Sequence, residues 1–138
     1  MNTPKIIFNA QKTDGGDAFT GQIVFNEVTL NVGKGMNSDG FVAPIAGYYQ
    51  FSFSAMGGLH KFGISTSASV DKNGVYQFDI ADSNTDDSSD GNNISHNWIW
   101  KLNKGDEVTL RAYSQHSYLR AVSHSPVTFN GQLVFVET

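Results

Sequence analysis

Residues 49–55 alternate strictly between apolar and polar side chains, and this pattern limits the fold more than any other feature of the sequence. Their order is Tyr-Gln-Phe-Ser-Phe-Ser-Ala. A period of two is that of a β-strand with one buried face. Residues 107–112 repeat it, with apolar side chains at every second position. The sequence therefore predicts several half-buried strands.

The segment 76–80 continues the alternation, so we expect Tyr76, Phe78 and Ile80 on one sheet face. Just before it, Asn73-Gly74 separates two strand-like runs, which predicts a β-hairpin. Further turn formers follow at intervals along the chain, and no amphipathic helix is evident. About eight to ten short strands are typical of a β-sandwich or jelly roll.

The last apolar run is apolar on both sides. Alternation predicts Leu133 and Phe135 on the face of Val127 and Phe129, with Val134 and its neighbour at 136 on the opposite face. A strand that is apolar on both faces usually lies between two packed layers or at a subunit contact. The sequence therefore predicts a subunit contact here.

Length and composition restrict the class of protein. The 138 residues fit one domain, residues 1–138, and 39% of them are hydrophobic. A net charge of −4 with scattered Lys and Arg disfavours nucleic-acid binding. No apolar run reaches the roughly 20 residues that span a bilayer, so membrane insertion is not expected. The first residues lack the apolar stretch of a signal peptide, so the chain is either cytosolic or has lost such a segment.

One stretch resembles the signature of the complement C1q globular head. A Phe is followed six positions later by Asn, and a second Phe by Gly six positions later and then by alternating aromatics. The matching residues are Phe25, Asn31, Phe41, Gly47, Tyr49, Phe51 and Phe53. Met36 stands where an aromatic or Leu is usual, and the segment 31–41 is two residues short, which we interpret as a shortened surface loop. Segments 7–10, 104–108 and 129–135 also resemble the family.

The resemblance implies a ten-stranded jelly roll of the C1q and tumour necrosis factor-like type that assembles as a homotrimer. It implies a secreted, lectin-like recognition protein that binds microbial or glycan surfaces in innate immunity. Absence of a Gly-X-Y repeat makes the chain similar to the stalkless members. The alternative is a structural or signalling ligand that binds a protein receptor, calcium or a biomineral matrix. A head domain of a spore or phage fibre is a third class.

An acidic stretch follows the strand at 76–80. Calcium-binding relatives take ligands from this region, and Asp82, Asn84, Asp86 and Asp90 offer oxygen ligands that suit calcium. The competing interpretation is a solvated loop. No other cofactor is expected.

A second group carries arginine and aromatic side chains, which often anchor bound ligands. Its members are Arg111, Tyr113, His116, Tyr118 and Arg120. An arginine could hold the carboxylate of an acidic sugar. Ordinary surface placement is the alternative.

The remaining aromatic and apolar candidates are assigned to core or trimer packing. They are Tyr48, Tyr49, Phe51, Phe53, Trp98, Trp100, Val134 and Phe135. Large aromatic side chains favour buried positions, and a sugar-stacking platform is the alternative for the two tryptophans. Asn93-Ile94-Ser95 is a glycosylation sequon. Enzyme signatures such as a nucleophile elbow or a phosphate loop are missing, so no catalytic residue is assigned.

Overall fold

The computed structural model describes residues 4–57, 66–82, 93–112 and 119–137, without the side chains of residues 17, 18 and 82. Within these ranges the chain forms thirteen β-strands and no helix. The strands are β1 (Ile7–Lys12), β2 (Gly16–Phe19), β3 (Gly21–Gln22), β4 (Glu27–Val32), β5 (Met36–Asn37), β6 (Gly40–Val42), β7 (Gly47–Gly57), β8 (Thr66–Lys72), β9 (Val75–Asp82), β10 (Asn93–Leu102), β11 (Glu107–Ala112), β12 (Leu119–Ala121) and β13 (Val127–Val136).

The strands form two antiparallel sheets. Sheet A has the order β2-β12-β7-β13-β1-β4, in which β12 and β13 pair with different parts of β7. β10 pairs with β7 along the edge opposite to β13. Sheet B has the order β5-β6-β11-β8-β9, with β3 beside β11. The predicted all-β jelly-roll sandwich is confirmed. The strand count exceeds ten in part because β3, β5, β6 and β12 are short segments of two or three residues.

The core lies between the sheets and is rich in phenylalanine. Phe8 stacks on Phe41 with ring centroids 4.9 Å apart, and Phe51 stacks on Phe129 at 5.7 Å. Burying each such side chain contributes about 1.5–3 kcal/mol. The rings of β7 lie in this layer because its odd-numbered side chains point inward. The largest fully buried aromatic side chains are Tyr49, Phe8, Phe25, Phe41, Phe51, Phe53 and Phe129.

Asn31 closes the shortened turn between β4 and β5. Its side-chain amide donates to the Met36 carbonyl at 2.8 Å, and its Oδ1 accepts from the Met36 N–H at 3.0 Å. Gly33 and Lys34 turn the chain with φ of 85° and 60°. Met36 itself is buried in the core. A methionine therefore fills the position where an aromatic is usual, because its flexible side chain adapts to the space.

The predicted hairpin is present between β8 and β9. Asn73 and Gly74 have φ of 52° and 77°, the left-handed conformation that a tight two-residue hairpin turn requires. Asn73 also holds the turn before β11, since its Oδ1 accepts from the Glu107 N–H at 2.8 Å.

Two register shifts overturn parts of the predicted alternation. On β13 the pairing with β7 shifts between Leu133 and Phe135, so Val134 is an extra residue. On β9 the pairing shifts so that Phe78 faces Val70 but Tyr76 faces the next residue of β8. A bulge of one residue moves the following side chains to the other face. The predicted alternation was therefore wrong for Phe135, which leaves the face of Val127 and Phe129, and for Tyr76, which leaves the face of Phe78 and Ile80, and both are exposed.

Candidate functional site

The outer face of sheet A is built from strands in continuous register. Asn97 faces Ser52, Ser52 faces Asn130, and Asn130 faces Asn9, so β10, β7, β13 and β1 contribute one row across the sheet. On β1, β7 and β13 these side chains point away from the core because their neighbours along the strand are buried, and Asn97 lies on the same side because it pairs with Ser52. The row lies at the middle of the sheet.

This middle part, the amide centre, is a shallow hollow. Its volume is about 310 Å³. Within it the Gln132 amide donates to the Gln50 side-chain oxygen at 3.5 Å. None of the residues that line the hollow carries a charge, so the hollow offers hydrogen-bond donors and acceptors that are all uncharged. The outward side chains of the amide centre are Asn9, Gln50, Ser52, Asn97, Asn130 and Gln132.

One end of the same face, the aromatic end, carries the exposed side chains of Ile99 and Phe135 and the half-buried ring of Tyr48. Tyr48 stacks on Phe135 with ring centroids 4.4 Å apart. Phe135 is 55% exposed and Ile99 is 58% exposed. Beside them Lys101 forms an ion pair with Glu137 at 3.0 Å, which raises the pKa of Lys101. Exposed apolar side chains that cluster in this way mark an interaction surface.

The outer face of sheet B has a different chemistry. Arg111 on β11 pairs with Asp71 on β8, with Nε–Oδ2 at 3.0 Å and Nη2–Oδ1 at 3.2 Å. The Asp71 side chain is only 10% exposed, whereas the Arg111 side chain is 42% exposed. Next to them the Ser69 hydroxyl donates to Asp79 at 3.2 Å. This face therefore presents charges that sheet A lacks at its centre.

The family follows from the comparisons with known proteins. The model of the C1q domain matches residues 7–134. The chain belongs to the C1q domain family. No curated protein sequence is similar enough to count as a relative.

Solved structures share the fold of this C1q domain. The globular domain of zebrafish complement 1qA protein has a TM-score of 0.74 at 17% identity, covering 96% of this chain and 99% of the other. Murine APRIL at pH 5.0 has a TM-score of 0.72 at 14% identity, with coverages of 94% and 99%. Eiger TNF from S. frugiperda has a TM-score of 0.70 at 10% identity, with coverages of 98% and 96%. At these identities the likeness shows the fold alone.

C1q domains are typically trimeric, ligand-binding modules of proteins that are generally secreted and not enzymes. In the part of this chain that the structure describes, no helix is long and apolar enough to cross a membrane.

The C1q domain places the two described members of the predicted arginine group on different sheets. Arg111 lies on the outer face of sheet B, whereas Arg120 lies on β12 of sheet A with both strand neighbours buried. The two guanidinium groups therefore point to opposite sides of the sandwich. Arg120 donates to the Met56 sulfur at 3.9 Å. The other predicted members, Tyr113, His116 and Tyr118, fall outside the described residues.

The candidate calcium ligands are also mostly outside the description. Asn84, Asp86 and Asp90 are not described, and Asp82 is described only as the last residue of β9. Among the described ranges, no three Asp, Glu, His or Cys side chains form a group that could hold a metal ion.

Trp98 and Trp100 pack where β10 borders β9. Phe78 meets Trp98 edge-on at 5.3 Å and Trp100 at 5.8 Å. Trp98 also lies 5.5 Å from Phe51 in the core. Both indoles are partly buried against the core cluster, so their faces are engaged by other rings of the domain.

The amide centre was missed by the sequence reasoning. Its signal was present in the polar positions of the alternating strands, where Gln50, Ser52 and Asn130 carry amides or a hydroxyl and no charge. What the sequence lacked was the strand order that aligns them in one row, since β1, β7, β10 and β13 are distant along the chain.

Proposed function

We propose that this protein is a secreted homotrimer that recognises glycan or microbial surfaces, a lectin-like protein of innate immunity without catalytic activity. The observation that carries the proposal is the contrast between the two outer faces. The centre of sheet A is uncharged and continues into the exposed apolar side chains of the aromatic end, which suits contact with other copies. Sheet B presents an exposed Arg111 and neighbouring carboxylates, which suits a polar ligand.

The Arg111–Asp71 pair supports a sugar ligand at the outer face of sheet B. The guanidinium is held in place by the buried carboxylate and keeps part of its surface open to solvent. A planar group with several fixed N–H donors binds hydroxyl or carboxylate oxygens with defined geometry. Gln22 pairs with Arg111 across neighbouring strands, is exposed, and adds an amide.

A glycan array probed with the full chain tests this proposal. We expect binding to a restricted set of glycans, and loss of that binding in the double variant Asp71→Asn/Arg111→Gln. This variant removes both charges together, so no buried charge is left unpaired. Val75→Ser, an exposed change at the hairpin tip, is the control. An array on which the wild-type protein binds no glycan would remove the lectin proposal.

The second candidate is a signalling ligand for a protein receptor, and the structural likeness to APRIL and Eiger TNF favours it. It predicts specific capture of a membrane protein from the source tissue and an empty glycan array. The calcium or biomineral branch of this candidate is tested by calorimetry. The absence of both heat and thermal stabilisation at millimolar calcium would exclude that branch.

A further inference from the structure

The sequon Asn93-Ile94-Ser95 lies at the start of β10, an edge strand of sheet A. Ile94 is buried, whereas Asn93 and Ser95 are exposed and point outward on either side of it. Neither polar side chain has a hydrogen-bond partner within the described part of the chain. A group attached to Asn93 would therefore extend into solvent without disturbing the core.

Asn93 opens onto a groove between β10, β7 and the start of β13. The groove has a volume of about 420 Å³, within the range of about 300–1,000 Å³ in which small ligands bind. Ser54 and Thr128 line it with their hydroxyls 2.6 Å apart. Its lining is free of charge and consists of Ser54, Ala55, Met56, Asn93, Ile94, Ser95, Ser125, Pro126 and Thr128.

These side chains match the chemistry of a sugar residue. Hydroxyl and amide groups of the groove can donate to and accept from sugar hydroxyls. Met56 and Pro126 offer apolar surface to the C–H face of a sugar ring. The attachment point and a complementary surface thus lie side by side.

We propose that Asn93 is an N-glycosylation site and that the first sugar of its glycan lies in this groove. The proposal rests on the secreted location proposed above. In the transfer, the Asn93 side-chain nitrogen forms a bond to the anomeric carbon of a lipid diphosphate-linked oligosaccharide. The carbon–oxygen bond to the diphosphate breaks, the lipid diphosphate leaves, and the amide nitrogen loses one proton.

The groove lies far from the aromatic end of the same face. Asn93 pairs with Met56, whereas Lys101 pairs with Tyr48, eight positions earlier on β7. At about 3.3 Å per residue the separation is roughly 26 Å. A glycan on Asn93 therefore leaves the aromatic end free for contact with another copy.

Attachment is tested by secreting the full chain, fused to a signal peptide, from eukaryotic cells. We expect a mass increase that peptide-N-glycosidase removes. The variants Asn93→Gln and Ser95→Ala should lack this increase, and Ser95→Thr should retain it because threonine also completes the sequon. Secreted wild-type protein without a glycan would overturn the proposal.

Seating in the groove is tested by the rate at which the glycosidase releases the glycan from the folded protein. Glu27→Asn in the Asn93→Gln background is the matched control, because it creates a sequon on β4, the opposite edge strand of the sheet. We expect release from Asn93 to be about fivefold slower than from the control site, the protection that one ordinary hydrogen bond provides. Thr128→Val should remove most of this difference.

Equal release rates at the two sites would overturn the seating of the sugar. Unglycosylated protein from bacteria separates a failure of the modification proposal from a failure of the proposed lectin function. If it still forms trimers and binds the array while the secreted protein carries no glycan, only the modification proposal fails.

Discussion

Gly47 begins β7 at a point where the end of β13 crosses close to it. A Cβ at this position would lie 2.7 Å from Leu133 Cδ1 and 2.8 Å from the Phe135 carbonyl oxygen. A glycine at such a position permits either a special backbone angle or a close approach. The structure shows the close approach, because Gly47 does not have a positive φ.

Gly47→Ala should therefore destabilise the domain by about 1–3 kcal/mol, the usual effect of overpacking. Chemical denaturation measures the free energy of unfolding. Gly74→Asn is the control, since a side chain there meets nothing within 4 Å and asparagine tolerates the positive φ. Equal stability of Gly47→Ala and wild type would show that the contact with β13 is not tight.

Asp106 links two turns through hydrogen bonds. Its Oδ1 accepts from the Asn73 side chain at 3.0 Å and its Oδ2 accepts from the Asn103 N–H at 2.8 Å. These bonds, first that of Asn73, lower the pKa of Asp106 below the ordinary value of 3.8. A carboxyl with a lowered folded-state pKa stabilises the protein above the unfolded-state pKa, and this contribution disappears as the pH falls through the folded-state pKa.

Asp106→Asn should consequently be less stable than wild type at neutral pH, with a difference that shrinks below about pH 4. Thermal unfolding between pH 2.5 and 7 measures this difference. Asp39→Asn is the control, since the Asp39 carboxylate accepts none of the hydrogen bonds found in the described ranges. A difference between Asp106→Asn and wild type that does not change with pH would contradict the role of the charge.

The strands show how far the sequence determines the elements. Alternation correctly placed Val108 and Leu110 of β11 in the core. It failed at β9 and β13, since a bulge adds one residue on one strand only. Nothing in a single strand's sequence reveals this, because a bulge depends on the partner strand. Its result is the exposed stack of Phe135 on Tyr48.

The pairing of β8 with β11 depends in part on one ion pair. Arg111→Gln alone should destabilise the protein by about 1–3 kcal/mol, because it leaves the mostly buried Asp71 carboxylate without its cation. Asp71→Asn/Arg111→Gln should recover much of this loss. Urea denaturation of wild type, Arg111→Gln, Asp71→Asn and the double variant completes the comparison. A double variant as unstable as the sum of the single changes would show that the pair is not coupled.

For the whole molecule, the sequence motif predicted the family and the sandwich but not the surfaces. The motif residues are mostly core aromatics and turn residues, so they specify packing. The amide centre and aromatic end arise from strand order and a bulge, which bring distant segments onto one face. For the same reason the sequence grouped Arg111 with Arg120, although the strands that carry them belong to different sheets.

A charge placed in the aromatic end should prevent assembly. Phe135→Glu places a carboxylate among exposed apolar groups, and burying it without a partner is unfavourable. We expect this variant to be a folded monomer by sedimentation and circular dichroism. Val75→Glu, an equally exposed change on sheet B, should leave the assembly unchanged. A Phe135→Glu trimer would place the subunit contact elsewhere.

The mass of the wild-type protein in solution tests the central claim most directly. Light scattering coupled to size exclusion should give three times the chain mass of 15.0 kDa, and the value should persist on dilution into the low micromolar range. A mass of 15.0 kDa at every concentration would contradict the proposed trimer and the role given to the outer face of sheet A.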